Sequence, residues 1–302
     1  MTRLAILGPG GVGGFVAGAL ARAGEDVVVV GRESTVEQIR ARGIDVTSVL
    51  LGEFTVRPDA TARLRSPVDV LLVATKSAGL EAALERIEAE ADLVVPLLNG
   101  LDHMQVLRHR FRGRRVAAGT IRIESDRPRV ATVVHSSPSV RVELASDDAA
   151  MRGPLEDLAA TLRRARLPAG IGCSEAQILW SKLVRLNALA CTTTAADQPI
   201  GFIRCDAAWR RELEACIAET TAVANADGAR IDGSDLLAEL DAAHAELGSS
   251  MRRDLDAGRT PELDAIPGSV LRAAKRHGLR CPTIARLSAQ IAKRAGVPEP
   301  AA

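Results

Sequence analysis

A chain of 302 residues has room for about two domains. Its 47% apolar and 25% charged residues suit globular folding around a sizeable core and exclude disorder, collagen and coiled coil. A net charge of +1 gives no bulk attraction to nucleic acid, and four Phe, two Trp and no Tyr make no base-stacking platform. No apolar run reaches the roughly 18 residues of a membrane span. The first residues enter a strand-like run at once, so no signal peptide is expected. Five scattered Cys without a CxxC predict neither a metal site nor a disulfide framework, and point to a reducing cytoplasm.

The first half alternates strand and helix. Leu4–Leu7 reads as a strand, Val12–Ala23 as a helix, and Asp26–Val30, with four valines in a row, as a strand buried on both faces. Val68–Ala74 and Leu93–Leu98 are further apolar runs, separated by a helical stretch over Ala78–Ala91. This rhythm predicts a parallel sheet covered by helices. Val130–His135 and Ser139–Leu144, joined by Ser136-Ser137-Pro138, predict a small antiparallel or mixed extension of that sheet. A helix over 151–166 and a last strand over Pro168–Ile171 follow. Beyond Ser174 only helices are expected, over Glu175–Ala190, Asp206–Ala226, Ser234–Leu247, Ser269–His277 and Thr283–Ala295. The fold class is therefore α/β: a Rossmann-type doubly wound parallel sheet over 1–172, then an all-helical domain over 173–302.

The first βα turn carries G-x-G-x-x-G at Gly8, Gly10 and Gly13. The first Gly permits the tight turn, the second lets the backbone approach a pyrophosphate, and the third lets helix and strand pack closely. Helix amides then point at the phosphates. Gly8, Gly10, Gly11, Val12 and Gly13 are the candidate cofactor-binding residues of this loop. The end of the second strand selects among cofactors, because Asp or Glu there binds the ribose hydroxyls of NAD. Here the strand runs into Gly31-Arg32-Glu33. Arg32, nineteen residues past Gly13, stands where the 2′-phosphate of NADPH would lie, while Glu33 is an acid that could serve ribose.

Ligands of open α/β sheets bind beyond the carboxyl ends of the strands. Thr75-Lys76 and Asn99-Gly100 occupy two such ends. Of 39 basic residues only four are Lys: Lys76, Lys182, Lys275 and Lys293. A Lys in so Arg-rich a chain favours a role that needs a removable proton. Lys182 lies inside an apolar helical stretch between Ile178 and Leu186, where a Lys is exposed, snorkelling or functional. Gly248-Ser249-Ser250-Met251-Arg252-Arg253-Asp254 and Thr260-Pro261-Glu262-Leu263-Asp264 form a polar run in which Glu262 can stabilise the start of the next helix.

In order and spacing these motifs, with Trp180-x-Lys182-Leu183 and the late Ala274-Lys275-x-x-Gly278-x-x-x-Pro282, resemble the ketopantoate reductase (2-dehydropantoate 2-reductase) family over nearly the full length. The resemblance implies an NADPH-dependent reductase of pantothenate biosynthesis, with a Rossmann domain and a helical domain flanking the cleft. It implies that Lys182 is the general acid that protonates the substrate carbonyl oxygen. Glu262 is then the carboxylate that orients substrate and Lys, and Ser250 a hydroxyl that holds the substrate. Asn99 and Lys76 would line the cofactor and substrate cleft, and Arg32 would meet the 2′-phosphate. A small-molecule 2-oxo acid is the expected partner, and a homodimer the expected assembly.

The chain also departs from the family. Studied members carry Asn four and eight residues after the Lys, where this chain has Leu186 and Ala190. Asn187, rotated by about 100° on a helix, is the candidate substitute. Leu98 stands where the family often has Gln. Three alternatives remain at this stage: the same chemistry on a bulkier or less polar 2-oxo acid, a non-catalytic NADP-binding regulator, and a SAM-dependent methyltransferase with a similar glycine loop. Arg32 and the helical second half argue against the last.

Overall fold

The computed structural model describes residues 2–111 and 115–301. The chain divides into two compact units, 1–98 with 103–178, and 99–102 with 179–302. Residue 172, where composition shifts, lies a few positions before this division.

In unit 1 the elements run β1 (Arg3–Leu7), α1 (Gly11–Arg22), β2 (Asp26–Val30), α2 (Glu33–Arg42), β3 (Ile44–Ser48), β4 (Gly52–Val56), β5 (Asp59–Thr61), β6 (Val68–Val73), α3 (Leu80–Leu84), β7 (Ala91–Pro96), α4 (His103–Arg110), β8 (Arg115–Val116), β9 (Ala118–Arg122), β10 (Ser125–Arg129), β11 (Thr132–His135), β12 (Arg141–Ala145), α5 (Arg152–Arg164) and β13 (Ala169–Ile171). Six strands form one parallel sheet in the order β5-β2-β1-β6-β7-β8. The chain leaves β1 to one side for β2 and later returns to its other side for β6. That reversal makes the carboxyl ends of β1 and β6 the topological switch point, where doubly wound sheets bind ligands. The valine-rich strands are buried along almost their whole length, as strands covered on both faces must be.

Helix α1 is buried without interruption from Gly13 to Leu20. A helix apolar on every side needs cover on every side. One side packs on the parallel sheet, and the other lies under a second sheet ordered β10-β11-β3-β4. Gly14 and Gly18 make this possible: a Cβ on Gly14 would lie 2.7 Å from Val133, and one on Gly18 2.8 Å from Val46.

Two expectations need correction here. Val130–His135 and Ser139–Leu144 do not extend the parallel sheet. The first contributes β11, paired with β3 and β10, and the second contributes β12, in a separate sheet ordered β13-β12-β9. Ile44 and Val46 alternate with Asp45 and Thr47 as in a half-buried strand, but nothing local shows that this strand pairs with β11. The helix expected over Ala78–Ala91 is also cut short. A 3₁₀ turn at Ser77–Gly79 leads into α3, and the chain then turns so that Ile87 bridges Leu64 and is buried.

Unit 2 is helical: α6 (Glu175–Ala196, its first turn in unit 1), α7 (Ile200–Cys205), α8 (Ala207–Ala226), α9 (Gly233–Ala242), α10 (Ser250–Asp256), α11 (Ser269–Arg276) and α12 (Pro282–Ala295). A π-helical turn over Asp264–Gly268 precedes α11. Asp206 caps α8 through the amides of Ala208 and Trp209, and Ser249 caps α10 through Arg252. Among the described residues no helix is long and apolar enough to cross a membrane.

Trp180, on α6, is fully buried and donates its indole N–H to Asp227 Oδ2 at 2.9 Å. His277 Nε2 lies 2.7 Å from the other carboxylate oxygen. Burial alone would raise the Asp227 pKa, but the bonds from His277 and Trp180 outweigh it and hold the carboxyl below its ordinary value. Asp227→Ala leaves the indole N–H buried without an acceptor and is expected to cost about 1–3 kcal/mol in urea unfolding. A depressed carboxyl contributes stability that is complete above its unfolded pKa of about 4 and is lost as pH falls through the lower folded value. The acid side of the wild-type stability profile should therefore be steeper than that of Asp227→Asn.

Candidate active site

The cofactor candidates of unit 1 gather at the switch point. Gly8 ends β1 with φ +94°, a left-handed conformation open to glycine. Its amide donates to Val30 O at 3.0 Å, and Gly10 N donates to Gly8 O at 2.8 Å. A Cβ on Gly13 would overlap the Gly8 carbonyl oxygen, so the third glycine is what lets α1 start so close to β1. Gly11 has a different reason. Its missing Cβ makes room for the Ser125 backbone, and Ser125 Oγ donates to Gly11 O at 2.9 Å.

Gly10 differs from these neighbours. With φ −80° it has no conformational need to be glycine, and a Cβ there would meet nothing within 4 Å. Gly10 is also the N-cap of α1, with no side-chain cap and no acid in the first turn. Nearby, the buried Thr75 hydroxyl has no hydrogen-bond partner, and its Cγ2 would sit 2.7 Å from a Cβ on Gly8. An open backbone cradle, helix amides without a protein anion and an orphaned hydroxyl fit the pyrophosphate of a dinucleotide. Val12 lies half-buried in the first turn, and Lys76 is exposed just past Thr75.

Arg32 is the exposed N-cap residue of α2. Glu33, the acid beside it, is engaged elsewhere. Arg86 grips it with two prongs, Nη1 to Oε1 at 3.0 Å and Nη2 to Oε2 at 3.4 Å. The Arg86 guanidinium accordingly holds the Glu33 carboxyl below its ordinary pKa. No local signal joins residues 53 apart, and the sequence reading did not single out Arg86.

In unit 2, Asn99 Nδ2 donates to Glu262 Oε2 at 3.1 Å, so two candidates 163 residues apart are brought into direct contact. The segment after Asn99 is fixed in place. Gly100 has φ +84°, and a Cβ on it would overlap the Ala265 carbonyl oxygen in the π-helical turn. Asp102 pairs with Arg272 at 2.6 Å, and Arg272 also holds Asp264 at 2.8 Å. The π-turn follows from Pro267, which lacks an amide: Ile266 N bonds back to Glu262 O at 3.0 Å, and Gly268 N reaches Leu263 O at 2.9 Å. Glu262 stands at the start of this turn and is half-buried.

Lys182 is half-buried on α6, with Leu183 and Val184 buried behind it. Leu186, one turn further along the same face, is also half-buried, while Ala190 is fully buried. Ser250 opens α10 and is half-buried. Its neighbour Ser249 lies in the interior and bonds Thr193 and Thr194 at 3.1 Å each. Asn187 does not take the place of the missing asparagines. It is 0% exposed, its amide donates to Thr220 Oγ1 at 3.0 Å, and its carbonyl accepts from Cys191 Sγ at 3.4 Å. The 100° rotation from Leu186 turns it to α8 and the core. Among the described residues no cluster of His, Cys, Asp and Glu could hold a metal ion.

The family described as ketopantoate reductase PanE/ApbA matches residues 4–147, and its C-terminal counterpart matches residues 176–295. The chain belongs to the ketopantoate reductase family. The family is one of oxidoreductases acting on a 2-oxo acid. The 2-dehydropantoate 2-reductase of Mycobacterium tuberculosis is 29% identical over 93% of this chain and 94% of its own. An uncharacterized oxidoreductase of Bacillus subtilis, YkpB, is 26% identical over 95% and 96%. The fold of D-mandelate dehydrogenase, solved with NADH and anilino(oxo)acetate, superposes with a TM-score of 0.89 at 19% identity, covering 97% of this chain and 98% of that one.

The glycine loop of this family member separates two effects. Gly10→Ala should leave the urea midpoint unchanged while weakening dinucleotide binding by about tenfold or more, since the added methyl fills the cradle and nothing else. Gly13→Ala should lower stability itself, by about 1–3 kcal/mol, because backbone must move. Denaturation and fluorescence titration of the two variants measure both quantities. Undiminished binding by Gly10→Ala would place the pyrophosphate elsewhere.

Proposed function

We propose that the protein reduces a 2-oxo acid to the 2-hydroxy acid with NADPH, and that 2-dehydropantoate and (R)-pantoate are its substrate and product, as in pantothenate biosynthesis. The observation that carries the reading is the match of both family domains together with the Asn99–Glu262 contact in the unit that holds Lys182. Unit 1 is the cofactor domain: Gly8, Gly10, Gly11, Val12 and Gly13 cradle the pyrophosphate, and Arg32 and Lys76 bind the phosphate-bearing end and the cleft. NADPH bound there supplies the hydride. A carbonyl that gains hydride develops alkoxide charge, and the Lys182 ammonium answers it with charge and with a proton. Glu262 orients the Lys182 ammonium and the substrate. Asn99 holds one Glu262 oxygen, which keeps the carboxylate from turning away. Ser250, at the start of α10, donates to the substrate carboxylate.

A second reading concerns the substrate side chain. Leu186 offers a hydrocarbon surface one turn from Lys182, where a polar residue would recognise the hydroxyl of 2-dehydropantoate. Pockets that lose a hydrogen-bonding partner lose discrimination by orders of magnitude. A 2-oxo acid with an apolar side chain, such as the one related to mandelate, suits Leu186 better.

Following NADPH absorbance with the purified protein tests both readings. Turnover of 2-dehydropantoate well above that of the arylated 2-oxo acid supports the first, and the reverse order supports the second. Lys182→Ala should lower kcat by about 10²–10⁴-fold with either acid. Undiminished turnover by that variant would remove Lys182 from the mechanism.

A further inference from the structure

The end of β2 carries an unresolved contest between Arg32 and Glu33. A carboxylate at this position accepts bonds from ribose hydroxyls and repels a 2′-phosphate, so an available Glu33 would favour NADH and would also neutralise Arg32. The structure removes that carboxylate from the contest. Both Glu33 oxygens are held by Arg86 in a two-pronged pair. The glutamate is the exposed partner, with 65% of its side chain accessible against 22% for Arg86.

Arg86 is the fixed member of the pair. Its Nη1 also donates to Ala62 O at 3.1 Å, just past β5. Strand β5 pairs with β2, with Val30 opposite Thr61, and Gly31 N bonds Thr61 O at 3.2 Å. The Arg86 backbone is held as well. Its carbonyl accepts from Leu64 N at 2.8 Å, and the next residue, Ile87, is buried and bridges Leu64. The guanidinium is therefore anchored to the strand beside β2, and the glutamate swings to it. Arg63 adds attraction to the same carboxylate. Exposed single-point ion pairs hold little, but a two-pronged guanidinium–carboxylate pair with an anchored partner has defined geometry.

We propose that Arg86 is a positioning residue for cofactor choice: by holding Glu33 it leaves Arg32 as an unopposed cation for the 2′-phosphate of NADPH. This deepens the NADPH reading above and rests on it. The role belongs to the turn after α3, outside the glycine loop and the second strand that ordinarily set nucleotide choice.

Equilibrium titration of NADPH and of NADH, by protein fluorescence or calorimetry, tests the proposal without turnover. The wild type should bind NADPH more tightly. Arg86→Met should narrow that preference by about tenfold, through weaker NADPH and tighter NADH binding. Adding Glu33→Gln to Arg86→Met should restore most of the preference, whereas Glu33→Gln alone should move it by less than about threefold, since that charge is already neutralised. Arg86→Lys should fall between, because an ammonium cannot form the fork. Circular dichroism melting confirms that each variant is folded. Equal loss of both nucleotides in Arg86→Met, or no restoration in the double variant, overturns the role of Arg86 while leaving the NADPH reading intact. A wild type that does not prefer NADPH, with Arg32→Met without effect on either nucleotide, overturns the NADPH reading itself and the proposal with it.

Discussion

The absent side chain of Gly13 is the constraint on which unit 1 depends. It lets the first turn of α1 rest against the Gly8 carbonyl, where any Cβ would overlap that oxygen. With the helix so close, its N-terminal amides stand at the carboxyl edge of the sheet, between the strands where the chain reverses direction. Gly8 answers the same demand by turning through a left-handed conformation, and Gly14 and Gly18 let a second sheet close over the far side of α1. Of Gly8, Gly10, Gly11 and Gly13 in the loop, Gly10 alone has no packing duty, which singles it out as the point of approach for phosphate.

Unit 2 solves a different problem: presenting polar groups at an apolar helix surface. Long helices are cheap to build from Ala, Leu and Arg, but a carboxylate and an amide must be held at defined positions. The device is the irregular backbone over 264–268, where Pro267 forces π-type bonding and Gly100 fits under the Ala265 carbonyl. Arg272 ties Asp102 and Asp264 into the same cluster. Glu262 and Asn99 are thus set by backbone geometry on both sides of their hydrogen bond. A π-turn beside the candidate site accords with the general tendency of such irregularities to mark function.

Charge arrangement gives the same lesson. Side chains that look equivalent in the sequence are sorted by their partners. Glu33 is taken by Arg86, whereas Glu262 is met by the neutral amide of Asn99. Ser249 is consumed in capping α10 and bonding Thr193 and Thr194, which leaves its neighbour Ser250 as the more accessible hydroxyl.

Local pattern was enough to reveal the parallel sheet, the helical second half and the glycine loop. Four consecutive valines, a strand–glycine–helix junction and 3.6-residue periodicity are short-range signals, fixed by backbone sterics and burial. Asn99 stood out at a strand end and Lys182 as a rare lysine inside an apolar helical stretch, whereas Glu262 drew its expected role only from the family resemblance. What tertiary structure decided lies at long range. Residues 130–135 pair with β3 and residues 139–144 with β9 and β13, so neither joins the parallel sheet as expected. Whether Asn187 could serve in place of the missing asparagines depended on packing, and its bond to Thr220 holds it inward. Arg86 carried no motif at all. Its meaning depends on a carboxylate 53 residues away and on a strand that brings the two together, because charge acts through distance in space and not along the chain.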